Sequence, residues 1–254
     1  MIEKSHAKVN IFLKILGTQG AYHTLLSRFM RVDNLYDTLR FEKKEHYHDS
    51  FELEGDFGCS IEKNTIYKAY QALIKEYPIA PFFQEHKVVV EKNIPEFAGL
   101  GGGSSNAAAF LRLVNRTLHL HIATPHLAKI GASIGADVPF FVYDYASANV
   151  SGVGENVQAF EEEQIEIETF TPDIRCDTGQ VYQQFRRAYL QDIDIKSAKA
   201  LENISSNTLL NSYDAGFLND LFAPALDLYP DLKAYHDKNF FSGSGSTFFR
   251  IQHG

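Results

Sequence analysis

The run Pro95-Glu96-Phe97-Ala98-Gly99-Leu100-Gly101-Gly102-Gly103-Ser104-Ser105-Asn106 carries the most chemically suggestive spacing in the chain, with four glycines in the five positions from Gly99 to Gly103. A β-branched run, Val88-Val89-Val90, precedes it and predicts a strand. Ala107, Leu111, Val114 and Leu118 follow at three- and four-residue spacing and predict a helix. Ser104 and Ser105 stand where a hydroxyl would cap that helix. A helix start exposes unpaired N–H groups and about half a positive charge, and glycine lets an anion approach them without a Cβ in the way. The order strand, glycine loop, helix therefore predicts a phosphate-binding loop. No Gly-Lys-Ser/Thr closes it as in a P-loop. Ser104 stands at the third glycine of a dinucleotide fingerprint, and no acidic ribose ligand follows a strand about twenty residues on.

Other polar groups stand out singly. Ala7, Val9, Ile11, Leu13 and Ile15 alternate along a strand and put Lys8 and Asn10 on its other face. A solvated lysine is the ordinary outcome there. Tyr22-His23 follows a turn at Gly17–Gly20, which suits either a base-stacking site or a plain strand start. Asp137 is a lone carboxylate between a helix expected to end at Gly135 and the apolar run Val138–Val142. If buried, it needs a partner. Asn64 reads as the N-cap of a helix through Ile66, Ala69, Tyr70 and Leu73. His46 and His48 lie in a polar stretch that reads as a hairpin tip rather than a metal site.

Those groups need elements to hold them. At 254 residues, 44% hydrophobic and 22% charged, the chain can bury one large core or two smaller ones. The formal charge of −8 excludes a typical nucleic-acid binder and leaves phosphate attraction to local sources. Cys59 and Cys176 form no metal-ligand spacing and no disulfide framework. Glu3 and Lys4 interrupt the N-terminus, so no signal peptide is expected, and no apolar run is long enough to span a bilayer. A cytoplasmic location and small-molecule partners are expected, with neither nucleic acid nor membrane among them. Ser27–Phe41 reads as strand, turn at Asp33-Asn34, strand, and Thr124-Pro125 as a helix start. The polar stretch from Ile193 to Asn211 reads as a variable connection. Strands and helices mix without strict alternation, which predicts an α+β fold.

Taken in order, Ala7-Lys8-Val9-Asn10, Pro95 through Asn106, Gly135-Ala136-Asp137-Val138-Pro139 and Ser242-Gly243-Ser244-Gly245 resemble the motifs of the galactokinase, homoserine kinase, mevalonate kinase and phosphomevalonate kinase (GHMP) superfamily. Tyr22-His23, Asp33 through Thr38 and Asn219-Asp220-Leu221 are similar to its cytidyl-substrate branch, and the ordered matches span nearly the whole chain. The resemblance implies an ATP- and Mg²⁺-dependent phosphoryl transfer to the 2-hydroxyl of 4-diphosphocytidyl-2-C-methyl-D-erythritol, in non-mevalonate isoprenoid precursor biosynthesis. The alternatives are another GHMP small-molecule kinase, mevalonate- or homoserine-type, or a non-catalytic nucleotide-binding module.

The implied fold is two-domain α+β: residues 1–150 as an S5-like nucleotide-binding domain and 151–254 as a ferredoxin-like substrate-side domain. By motif, Asp137 would be the catalytic base, with Lys8 beside it and the transferred group. Gly99, Gly101, Gly102, Gly103, Ser104 and Ser105 would hold the ATP phosphates, and Asn64 and Lys92 would line the adenine pocket. Asn10 would orient the substrate, Tyr22, His23 and Tyr182 would bind cytosine, and Thr178 would lie nearby. Ala21 precedes the Tyr-His pair where the family usually has Gly, so a backbone with φ > 0 there would be strained. His6 stands where Pro is usual. The sequence stops five residues after Phe249 (254 minus 249), where many relatives continue into a helix, so the second domain is expected either to lack a closing element or to cover that sheet face differently.

Overall fold

The computed structural model describes every residue of 1–254 except Ala21, Asp49, Lys238, His253 and Gly254; the backbone question at Ala21 thus lies outside the described residues. In chain order the elements are β1 (Ile2–Gln19), β2 (Tyr22–Lys43), β3 (Leu53–Glu54), α1 (Thr65–Leu73), α2 (Ala80–Glu85), β4 (His86–Glu91), α3 (Gly102–Thr117), α4 (Thr124–Ala132), α5 (Val138–Tyr143) and β5 (Ser147–Gly152). Then come β6 (Asn156–Ala159), β7 (Ile167–Phe170), α6 (Thr178–Ala188), α7 (Ile195–Leu201), α8 (Ser206–Ser212), α9 (Ala215–Leu218), α10 (Phe222–Leu228), β8 (Phe240–Phe241) and β9 (Phe248–Ile251). β1 pairs with β2.

Two packing units interleave along the chain. The first comprises Met1–Ala7, Asp33–Ile94 and Gly101–Asp144, and the second comprises Lys8–Val32, Pro95–Leu100 and Tyr145–Gly254. β2 runs unbroken through Asp33-Asn34, where the sequence suggested a turn. Both side chains are exposed, so turn-prone residues cost little there, and the strand passes from one unit into the other at this point.

In the first unit the latter part of β2 pairs antiparallel with β4, from Thr38 opposite Glu91 to Lys43 opposite His86, and β3 adds in parallel. Helix α3 packs on α1 and α5, and α4 on α5. The buried stripe of α3 runs from Ala107 through Leu111 to Val114, as the periodicity predicts. Phe41, Phe51, Phe83 and Phe110 meet edge-on or tilted, with ring centroids 5.4–6.2 Å apart.

In the second unit the earlier part of β2 pairs antiparallel with β5, Leu25 opposite Gly152 to Met30 opposite Ser147, and β6 extends that ladder. A separate sheet has the order β7-β9-β8. The stretch 193–211, expected as an irregular connection, forms α7 and α8. Its polar residues are caps, Asp194 accepting from the Ser197 amide and Ser205 from that of Thr208, while Ala198, Leu201 and Leu209 are buried. Arg28, unremarkable within a strand pattern, is wholly buried in this unit. Its guanidinium lies 3.3 Å from the Phe160 ring centroid and donates to Asn149 Oδ1 (2.7 Å) and the carbonyls of Ile204 (3.0 Å) and Glu202 (2.7 Å). Burial lowers its pKa to about 10, which still leaves it charged at neutral pH.

Candidate active site

The glycine loop ends in a helix start that no side chain caps. Gly101, at φ 72°, is the N-cap, and α3 begins at Gly102. Ser104 and Ser105 are therefore not the cap, as expected from the sequence, but lie in the first turn. The left-handed backbone at Gly101 starts the helix earlier than the hydroxyls suggested, because only glycine adopts that conformation at low cost. The Ser105 amide already bonds the Gly101 carbonyl (2.8 Å). By helix geometry the amides of Gly102, Gly103 and Ser104 have no partner within the helix, an arrangement that can receive an anion. Ser105 is buried, and its hydroxyl accepts from Ser5 (2.8 Å). Ser104 is half-buried, and a Cβ placed on Gly135 would lie 3.6 Å from its hydroxyl oxygen. The turn that carries Asp137 thus runs beside the first turn of α3. Asp137 itself is half-buried at the N-cap position of α5, with its side chain not used as a cap.

Asn64 caps α1, its Oδ1 accepting from the Ile66 amide (2.9 Å), and the adjacent Thr65 hydroxyl donates to the Gly103 carbonyl (2.6 Å). The start of α1 is in this way tied to the start of α3. Lys92 donates to Asp37 Oδ2 (2.5 Å) and Asn106 Oδ1 (2.9 Å). A Cβ on Gly102 would lie 3.7 Å from its Nζ. All of these residues belong to the first unit.

The second unit carries the rest. Lys8 is buried, and its Nζ donates to Asn10 Oδ1 (2.6 Å) and to the Gly99 carbonyl (3.0 Å) and lies 4.6 Å from the Phe29 ring centroid. Asn10 in turn donates to Ser27 Oγ (2.9 Å), so its carboxamide is held at both ends. The Gly99 carbonyl also accepts from Ser242 Oγ (3.0 Å). Gly99 has φ 74°, and a Cβ there would fall 2.2 Å from the Ser242 carbonyl oxygen, so the backbone at Gly99 and the turn Ser242–Gly245 meet through glycine. Asn219 holds that turn by donating to the carbonyls of Phe241 (2.8 Å) and Gly243 (2.9 Å).

His23 and Tyr182 face each other with centroids 5.2 Å apart and planes 32° off parallel, and Phe185 meets His23 edge-on at 5.9 Å. Tyr22 is 69% exposed and packs on neither ring among the described residues. Burial, then the positive charge of Arg186, lowers the His23 pKa, so the imidazole is neutral at pH 7. Thr178 opens α6, with its hydroxyl 2.8 Å from that of Ser244. Sequence reasoning missed Asp37, Asn106, Ser242 and Asn219 as supporting groups. Only their place inside quoted motifs signalled them.

Among the described residues no three His, Cys, Asp or Glu side chains gather as a metal site, and no helix is long and apolar enough to cross a membrane.

Comparison with known proteins gives these positions a context. Residues 64–145 match the model of the GHMP kinases N terminal domain. A 4-diphosphocytidyl-2-C-methyl-D-erythritol kinase of Sulfurovum sp. (strain NBC37-1) is 55% identical over 251 residues, 98% of each chain. Another, from Sulfurimonas denitrificans, is 50% identical over 98% of this chain and 96% of its own. A crystal structure of 4-(cytidine 5'-diphospho)-2C-methyl-D-erythritol kinase superposes over 100% of this chain and 91% of its own, with TM-score 0.76 and 28% identity. Methanococcus jannaschii mevalonate kinase shares the fold at TM-score 0.65 and 13% identity, covering 100% of this chain and 90% of its own.

Proposed function

The chain belongs to the 4-diphosphocytidyl-2-C-methyl-D-erythritol kinase family of GHMP kinases, and from that premise we propose how its residues carry the reaction. It is an ATP-dependent kinase that phosphorylates the 2-hydroxyl of 4-diphosphocytidyl-2-C-methyl-D-erythritol, a step of non-mevalonate isoprenoid precursor biosynthesis. The observation that bears most on mechanism is the closeness of Gly135 to Ser104, which sets the carboxylate-bearing turn beside the uncapped start of α3. A purely nucleotide-binding module has no use for an acid there.

In this reading the amides from Gly102 to Ser104, with Gly99 and Gly101 shaping the approach, hold the ATP phosphates. Asn64 and Lys92 serve the adenosine end. Asp137 accepts the proton of the acceptor hydroxyl as its oxygen bonds the γ-phosphorus and the bond to the ADP oxygen breaks. Lys8 spreads positive charge over the transferred group, and Asn10, fixed by Ser27, holds the Lys8 ammonium in place while orienting the acceptor. His23 and Tyr182 give the cytosine a ring face and a neutral imidazole, with Tyr22 closing on it from its exposed position and Thr178 beside it. Ser105 acts from beneath the loop through its bond to Ser5.

Mg²⁺ would neutralise the phosphates. The Ser104 hydroxyl, a hard oxygen at the open end of α3, suits that ion, and phosphate oxygens and water supply the remaining ligands. By role, residues 1–150 bring the donor side and 151–254 the acceptor side. A cytoplasmic location completes the reading. The decisive experiment is turnover of ATP with the diphosphocytidyl substrate, with mevalonate and homoserine as controls. Turnover only with a control substrate, or none with any, overturns the proposal.

A further inference from the structure

The segment Asp33 through Thr38 has no part in the chemistry above, yet Asp37 is wholly buried and both its oxygens are saturated. Oδ1 accepts from the amides of Asn93 (2.7 Å) and Ile94 (2.8 Å). Oδ2 accepts from Lys92 Nζ (2.5 Å) and Asn106 Nδ2 (2.8 Å). Asn106 closes the ring by accepting from the same Nζ (2.9 Å), and its Nδ2 also donates to Ser5 Oγ (2.8 Å), which donates onward to Ser105 Oγ. Lys92, Asp37 and the first turn of α3 are thus one network.

An ammonium against a helix start is placed against like charge, and one so nearly buried cannot stand unpaired. Asp37 removes both difficulties. It also removes Lys92 as a source of net positive charge. Three N–H groups leave one after Asp37 and Asn106 have taken theirs. We propose that Asp37 is a positioning residue of the ATP site: it cancels the Lys92 charge and aims the remaining N–H, so that Lys92 serves the adenosine part of ATP as a directional donor and not the phosphates as a cation. The inference rests on the reading of Lys92 as an ATP-site residue.

Adenosine, which lacks phosphate, separates the possibilities as a competitive inhibitor. In Lys92→Met the ATP KM and the adenosine Ki should rise together, by about 10–150-fold, the worth of one hydrogen bond from a charged donor. An unchanged ATP KM would overturn the placement of Lys92 itself. A raised ATP KM with unchanged adenosine Ki would leave that placement standing and overturn the directional-donor role. In Asp37→Asn the adenosine Ki should rise about as far as in Lys92→Met although Lys92 is present, with the acceptor KM unmoved. A wild-type Ki in the folded variant refutes the positioning role, since a merely structural residue would lower Tm and active fraction without moving Ki. Asn106→Ala, which removes the second anchor and leaves the ion pair, carries the same test where Asp37→Asn does not fold: the Ki rises severalfold, or the inference fails.

Discussion

Replacing Gly103 by Ala should move stability and activity in opposite directions. Gly103 is the second residue of α3 and is exposed. A Cβ built there meets only the Thr65 side chain, at 3.5 Å from Oγ1 and 3.8 Å from Cγ2, which is ordinary contact. The backbone is already helical, so alanine gains the usual helix preference over glycine, about 0.5–1 kcal/mol. For a chain of this size that corresponds to a Tm higher by roughly 1–4 °C. On the proposed reading the phosphates come to the amides of Gly102, Gly103 and Ser104, and the same methyl is added at the middle one of the three. Loss of one hydrogen bond to a charged group costs about 1.5–3 kcal/mol, or roughly 10–150-fold in ATP KM.

Gly99→Ala is the contrasting control. With φ 74° and 2.2 Å between the added Cβ and the Ser242 carbonyl oxygen, it should lose both stability and turnover. Thermal unfolding and steady-state ADP release at varied ATP read the two quantities. A Gly103→Ala enzyme with raised Tm and an ATP KM within twofold of wild type would refute the assignment of the α3 start as the phosphate cradle.

Three further outcomes follow from the same geometry. Asp137→Asn should lower kcat by about 10²–10⁴, the range for loss of a general base, with ATP affinity by calorimetry retained; wild-type turnover counts against the base. Tyr182→Ala should raise the acceptor KM by roughly 5–150-fold, from about 1–3 kcal/mol of base stacking, and an effect confined to ATP would exclude the ring pair with His23 as the cytosine site. His23 has its folded pKa depressed below 6.5, so the native state binds fewer protons than the unfolded chain at acid pH. Its contribution to stability is complete above pH 6.5 and declines as pH falls through the depressed value. His23→Asn should flatten that decline, measured as the urea midpoint at successive pH values from neutral to about 5; an unchanged slope would assign the acid loss elsewhere.

Local periodicity revealed the elements on which the site is mounted. The strand before the glycine loop, the buried face of α3 and the N-cap role of Asn64 follow from spacing and residue type, because each depends on neighbours within a few positions. What the sequence concealed depends on long-range pairing. The turn expected at Asp33-Asn34 is absent because exposure, not residue type, decides what a strand tolerates there. The polar stretch 193–211 reads as a connection until its Asp194 and Ser205 are recognised as caps. Asp37 reads as one acid among many, since its partners stand 55 and 69 residues away. Arg28 resembles a surface arginine in sequence but is buried under carbonyls from residues 202 and 204.

The same distances bear on how an acidic chain holds a polyanion. With a formal charge of −8, two lysines of the motifs would be the obvious attraction for ATP. Yet Lys92 is neutralised by Asp37, and Lys8 has its ammonium on Asn10 and the Gly99 carbonyl, where it is positioned rather than loosely offered. On the proposed reading, ground-state holding of the phosphates would then fall on backbone amides and the proposed divalent cation. Amides have the advantage that their geometry is set by the fold: Gly101 turns the chain, Thr65 fixes the Gly103 carbonyl, and Ser5 holds Ser105 from below. A lysine kept close and oriented, but not used for bulk attraction, can act where charge develops during transfer, which is where stabilisation raises the rate rather than the affinity.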